Sequence, residues 1–114
     1  KAVFAEHTVP AIGVVISNNG VSMYFTGDTE YNEKLKTVRC DILFVCINGK
    51  LGNMNVEEAV KLTKEINPKV GIPTHYGMFE SNTENPDKYT LNVDNGFEME
   101  YNIEYDISEV MSGV

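Results

Sequence analysis

Apolar residues along this chain fall mostly in short runs, with one stretch at helical spacing past the middle. Lys1–Glu6 reads as a short strand that ends at His7. Ala11–Ser17 is β-branched and apolar, a second strand. Asn18-Asn19-Gly20 follows, and Asn-Gly is the strongest short hairpin signal because both central positions need φ > 0. Val21–Thr26 is then the return strand. Its Val21, Met23 and Phe25 alternate with Ser22, Tyr24 and Thr26, and period two predicts one apolar face. Gly27-Asp28-Thr29 closes the strand, and Glu30–Val38 reads as a weak helix, charged on one side.

The run Ile42-Leu43-Phe44-Val45-Cys46-Ile47 is continuously apolar, the mark of a strand covered on both faces. Asn48–Asn55 is a loop with two glycines. Asn55, with Glu58 three residues on, forms a box-like helix start. Val56–Ile66 then carries Val56, Ala59, Val60, Leu62 and Thr63 at helical spacing, and Pro68 stops it. Lys69–Thr74 is another short apolar strand. Asp41–Thr74 thus reads as a βαβ unit with parallel strands, expected to be right-handed. Beyond it, Tyr76–Asn85 is a loop, Pro86–Tyr89 a single helical turn, Asp94-Asn95-Gly96 a turn, and Phe97–Ile107 one or two strands. The fold class is therefore α/β: a mixed sheet with a hairpin and a βαβ unit.

At 114 residues the chain makes one small domain. Seventeen acidic against nine basic residues give a formal charge of −8, which argues against a surface built to grip nucleic-acid phosphates. It leaves room for a small phosphorylated substrate held by one or two local groups. No apolar run approaches the roughly 20 residues a membrane span needs, and no signal peptide is visible. Starting at Lys1 and running straight into Ala2–Ala5, the chain reads as a piece of a longer protein that begins inside a domain. If Cys40 and Cys46 lie along one strand they are roughly 20 Å apart at ~3.3 Å per residue, too far for a disulfide. Reduced thiols in a cytoplasmic protein are expected.

The chemistry is sparse. Only two histidines are present, His7 and His75, each beside a predicted strand end. Asp28 and Asn48 also follow strands. Groups at the carboxyl ends of strands are where open α/β sheets build their sites. Each alone has a plainer reading: a satisfied structural histidine, or Asp28, with Thr29 as the other candidate, capping the next helix. Together, imidazole and carboxylate suit a divalent metal of borderline character. A bridging carboxylate can hold two metals at roughly 3.5–4 Å, where a bound water ionises near neutral pH.

His7-Thr8-Val9-Pro10-Ala11-Ile12-Gly13, a hairpin, and Tyr24-Phe25-Thr26-Gly27-Asp28-Thr29 resemble two metal motifs of the metallo-β-lactamase superfamily. Ile72-Pro73-Thr74-His75-Tyr76 resembles its last one. Ile47-Asn48-Gly49-Lys50, Gly52-Asn53-Met54-Asn55 and His75-Tyr76-Gly77-Met78-Phe79, with Asn82, Thr83 and Pro86, look most like the L-ascorbate-6-phosphate lactonase branch. The resemblance covers about residues 5–90 and implies the second half of an αββα sandwich. It implies two divalent metals, manganese or zinc. His7 would complete the first metal site, Asp28 would bridge both, and His75 would complete the second. Asp28 is also the candidate catalytic residue, orienting the nucleophile.

The superfamily's His-x-His-x-Asp-His is absent from this sequence. The resemblance therefore implies that four ligand positions lie in an N-terminal half outside this chain, and that the chain alone is inactive and binds metal weakly. The implied activity is hydrolysis of a lactone on a phosphorylated sugar acid. Asn48, Lys50 and Asn82, with Thr83, are candidate substrate contacts. For Lys50 the plainer reading, Gly49 and Gly52 turning the chain with the lysine solvated, stands ahead. Tyr76 and Phe79 read as core or pocket wall. Two rivals remain: a phosphodiesterase or ribonuclease of the same fold, and a truncated, non-catalytic module that acts only by pairing with itself or with the other half.

Overall fold

The structure, a computed structural model, describes residues 1–112. Five strands form one mixed sheet in the order β1 (Ala2–Val3), β2 (Gly13–Asn18), β3 (Val21–Phe25), β4 (Ile42–Cys46) and β5 (Val70–Thr74). The first three run antiparallel as successive neighbours, and β3, β4 and β5 run parallel. The hairpin turns at Asn19 (φ 50°) and Gly20 (φ 79°), the two positive-φ positions that Asn-Gly supplies at least cost. Helix α1 (Val56–Ile66) crosses between β4 and β5, as the βαβ reading requires.

Helix α1 starts where the side chains dictate. Asn55 accepts from the Glu58 backbone at 2.8 Å, and Glu58 accepts from the Asn55 backbone at 3.1 Å, a complete capping box. It ends at Asn67, whose φ of 55° is the left-handed cap that Asn tolerates. Val56, Ala59, Leu62, Thr63 and Ile66 face inward. Of these, Val56, Ala59, Leu62 and Ile66 join Leu43, Val45, Tyr24 and Leu35 in the larger core, where each fully buried aliphatic side chain contributes about 1.5–3 kcal/mol.

Four expectations need correction. The strand expected over Lys1–Glu6 shortens to Ala2–Val3. The helix expected over Glu30–Val38 is a 3-10 helix, Glu33–Thr37, capped by Asn32 and not by Asp28 or Thr29; it buries only Leu35, too small a stripe to sustain α-turns. Strand β3 is covered on both faces. Tyr24 and Thr26, on its supposedly polar side, are fully buried, while Val21 and Met23 pack on a second cluster of Ile42, Val70, Ile72 and Val110. Phe25 stacks on Phe44 at 4.2 Å.

Phe97–Ile107, the fourth, contains no strand. A lone bridge joins Gly71 to Gly96, and the segment then runs irregularly into helix α3 (Ile107–Met111). Its apolar residues Phe97, Met99 and Tyr105 pack, partly buried, against the second cluster, and the Phe97 N–H still donates to the Gly71 carbonyl at 2.9 Å. Neither cysteine is bridged, and Cys46 is buried. Among the described residues no helix is long and apolar enough to cross a membrane.

Candidate metal centre at the strand ends

The parallel strands end side by side, and the loops that leave them share one edge of the sheet. After β3, Thr26 turns inward: its hydroxyl donates to the Gly27 carbonyl at 2.9 Å and accepts from the Cys46 N–H at 3.3 Å. Gly27 then takes φ 62°, with room so tight that a Cβ there would sit 3.2 Å from the Ile12 carbonyl. A residue with a side chain would be strained and crowded. The chain so turned projects Asp28, whose side chain is 47% exposed.

Thr29, fully buried, ties three segments together. Its hydroxyl accepts from the Glu6 N–H at 2.9 Å and donates to the Glu30 carbonyl at 2.9 Å. Its own carbonyl accepts from the Met54 N–H at 2.9 Å. The residue before His7, the residue after Asp28 and the residue after Asn53 therefore meet at one threonine. Sequence reasoning saw Thr29 only as a cap.

His75 follows β5 directly and adopts φ 63°. A β-carbon-bearing residue in the left-handed region carries strain that surrounding structure must hold, and such residues concentrate at functional sites. Its Nε2 lies 3.2 Å from Asp28 Oδ1. Two ligands at 2.0–2.2 Å from one cation stand about 2.8–3.6 Å from each other across angles of about 90° to 109°, so the pair is spaced to share a metal. On the far side of the ring, Nδ1 is 3.1 Å from Asn53 Nδ2.

His7 is half-buried and lies over the Gly52 turn: a Cβ at Gly52 would be 3.9 Å from its Cε1. Its Nδ1 is buried with no hydrogen-bond partner. An orphaned imidazole nitrogen costs about 1–3 kcal/mol unless something takes it up, and a cation would. The structure thus joins Asp28 to His75 and leaves His7 apart. Among the described residues no three of His, Cys, Asp and Glu gather closely enough to hold a metal.

The remaining candidates hold the loop after His75. Asn48, 2% exposed, donates from Nδ2 to the Asn82 carbonyl at 3.0 Å and accepts from the Lys50 N–H at 3.1 Å. Lys50 is exposed, and its Nζ donates to the Thr83 carbonyl at 2.9 Å. Thr83 Oγ1 accepts from the Gly77 N–H at 2.5 Å. Asn82 offers its backbone here, not its amide. Next to this loop a cleft of about 640 Å³ opens, walled by Tyr76, Tyr101, Glu84, Glu98 and Glu100. Tyr76 accordingly lines a pocket, with burial pushing its phenol up to about 12, whereas Phe79 is half exposed. Three carboxylates make that cleft a poor seat for a phosphate.

The family model described as the beta-lactamase superfamily domain matches residues 2–76, a span that holds His7, Asp28 and His75. The chain belongs to this superfamily. Similar sequences include two proteins named UPF0173 metal-dependent hydrolase. The one from Thermodesulfovibrio yellowstonii is 42% identical over 72 residues, 59% of this chain and 27% of that protein. The one from Archaeoglobus fulgidus is 32% identical over 81 residues, 68% of this chain and 35% of that protein. The chain thus spans about a third of the length of the curated relatives it matches. Among solved structures, a metallo hydrolase from Ignicoccus hospitalis superposes with a TM-score of 0.78 at 23% identity, over 87% of this chain and 48% of that one. A metallo-beta-lactamase fold protein from Bacillus subtilis gives 0.67 at 18% identity, over 85% and 44%. The five-stranded mixed sheet with its strand-end loops is the metallo-β-lactamase architecture.

Proposed function

We propose that this metallo-β-lactamase chain contributes part of a divalent-metal centre to a hydrolase: Asp28 and His75 on one cation, His7 and Asp28 on a second. The observation that carries this is the 3.2 Å approach of His75 Nε2 to Asp28 Oδ1, from two parallel strand ends. Manganese and zinc both suit imidazole with carboxylate. When bound, the cations would supply Lewis acidity and an activated water. The chain's own residues do the rest. Asp28 holds its carboxylate toward the centre and orients the nucleophile. Thr29 ties the residue before His7 to the turn that carries Asp28, and His75 is held by its left-handed backbone.

Each cation would then take two ligands from this chain, below the three that catalytic zinc sites keep. The others come from outside these residues, from more of the same protein or from a pairing partner. The substrate class we propose is a phosphorylated sugar-acid lactone such as L-ascorbate 6-phosphate. It is supported by the motifs from Ile47 to Lys50 and from His75 to Asn82, and by Lys50, whose ammonium reaches the loop after His75 at the Thr83 carbonyl. A phosphodiester substrate fits less well, because a chain of charge −8 has no broad basic face to offer.

The test assays the full-length protein on a cyclic phosphorylated lactone and on bis-p-nitrophenyl phosphate, before and after chelation, with Asp28→Asn beside the parent. Chelation-sensitive lactone turnover, lost in the variant, is expected. Turnover of the phosphodiester alone would overturn the substrate class. Stoichiometric metal binding by the 114 residues at about micromolar affinity, some 8 kcal/mol, would overturn the shared-site reading.

A further inference from the structure

Asn53 is 7% exposed, and its side-chain oxygen is buried with no hydrogen-bond partner. Its amide nitrogen is engaged twice, with the Asn48 carbonyl at 3.4 Å and with His75 Nδ1 at 3.1 Å. A donor facing Nδ1 requires Nδ1 to be the unprotonated nitrogen. The proton then sits on Nε2 and points at Asp28 Oδ1, 3.2 Å away. That arrangement is self-consistent without a metal. It is the wrong tautomer for coordination through Nε2, which needs the Nε2 lone pair and places the proton on Nδ1.

The unpaired oxygen resolves the conflict. A half-turn of the Asn53 amide brings Oδ1 to Nδ1; it gives up the long contact to Asn48 and turns the NH2 to where Oδ1 stood. The Nδ1–H then donates to Oδ1, and Nε2 is free. Histidine ligands commonly donate their second ring N–H to such an acceptor, which fixes ring and tautomer and raises ligand basicity. A buried acceptor without a partner is an expensive feature; here it is an acceptor held in reserve.

We infer that Asn53 is the positioning residue of His75: its amide sets which ring nitrogen carries the proton, and its oxygen receives the Nδ1 proton when a cation takes Nε2. This rests on His75 being a metal ligand, as proposed above. No proton leaves the histidine overall: Nε2 gives one up as Nδ1 takes one.

Two readouts test it. The first needs no metal: ¹⁵N shifts of the two histidines at about pH 8.5, well above the ordinary histidine value, with His7→Gln to assign the rings. Wild-type His75 should be protonated at Nε2, and Asn53→Asp, which offers only acceptors, should move the proton to Nδ1. The second is Zn²⁺ titration followed on the His75 Cε1–H resonance, which reads weak binding as well as strong. Asn53→Leu should weaken Zn²⁺ binding by about 10- to 100-fold, and Asn53→Asp should bind at least as tightly as the parent.

The same tautomer in parent and Asn53→Asp would overturn the inference, and so would Zn²⁺ binding unchanged in Asn53→Leu. Should Asn53→Leu fail to fold, the Asn53→Asp shifts and affinity decide alone. A control separates the two claims, with Zn²⁺ binding read by titration calorimetry because His75→Ala lacks the His75 resonance. If His75→Ala binds Zn²⁺ like the parent, the metal reading itself fails. If His75→Ala loses binding and Asn53→Leu does not, only the role of Asn53 fails.

Discussion

Strand β5 carries His75, and its position depends on a close approach that only glycine permits. A Cβ built on Gly71 would lie 2.2 Å from the Tyr89 hydroxyl oxygen, 3.3 Å from Tyr89 Cζ and 3.1 Å from Thr63 Cγ2. Tyr89 belongs to the short helix α2 (Asp87–Thr90) and is fully buried. Its hydroxyl is 2.8 Å from Thr63 Oγ1, and burial raises its pKa, so it stays a protonated donor. Gly71→Ala must therefore push the ring off Thr63. Overpacking costs about 1–3 kcal/mol, and the broken buried bond adds about 1 kcal/mol. Against this stands a gain of roughly 0.5–1 kcal/mol from replacing glycine in a strand. A net loss of about 2–3 kcal/mol is expected. Tyr89→Phe alone should lose about 1 kcal/mol, because Thr63 keeps its bond to the Ala59 carbonyl at 2.7 Å. In the double variant the colliding oxygen is gone, and the nearest ring atom is within a small adjustment. Its loss should be about 1–2 kcal/mol, well short of the sum of the singles, an interaction of about 1–2 kcal/mol. Urea unfolding of the four proteins measures it. Losses that add to within roughly 0.5 kcal/mol would refute the proposed collision.

Two further outcomes follow from the local chemistry. Asn55→Ala should lower stability by about 1 kcal/mol by removing the cap of α1 while Asn55→Ser nearly preserves it, and equal urea midpoints for the two would refute the role of the box. Asp41 accepts from the Ser22 backbone N–H at 2.9 Å, which holds its carboxyl below the usual carboxylate range. Its folded pKa is thus lower than its unfolded one, so its contribution is complete above about pH 4 and drains away as pH falls through the folded value. Thermal melts should show Asp41→Asn less stable than the parent near pH 7, with the gap closing near pH 3; a gap of constant size would refute this.

What could be read from the sequence is what short segments decide for themselves. The hairpin at Asn19-Gly20, the capping box at Asn55, and the doubly buried run from Ile42 to Cys46 are all set by residues within a few positions of one another. The placement of the candidate residues was legible because Asp28 and His75 follow strands, and strand ends can be counted. The rest depended on partners far along the chain. Tyr24 looked like the polar face of β3 because nothing local says that α1 and the Glu33–Thr37 turn will cover it. Phe97–Tyr105 has a strand's apolar content, but only the sheet edge could pair it, and beyond Gly96 the chain leaves that edge.

Asn53 is the sharpest case. As one residue of a Gly-Asn-Met-Asn loop it carried no chemistry of its own, and loops with two glycines are ordinary. Its meaning lies in two atoms contributed from elsewhere, the Asn48 carbonyl and His75 Nδ1, 22 residues away along the chain. The same holds for Thr29, whose hydroxyl reaches Glu6 across 23 residues. Ligands announce themselves by type, since few side chains bind cations. The residues that orient ligands are common polar types, and only their contacts tell them from caps and turns. A site read from sequence will therefore be a list of candidate ligands without the hydrogen bonds that orient them, and under the proposal above the Asn53 contact is what sets which nitrogen His75 offers.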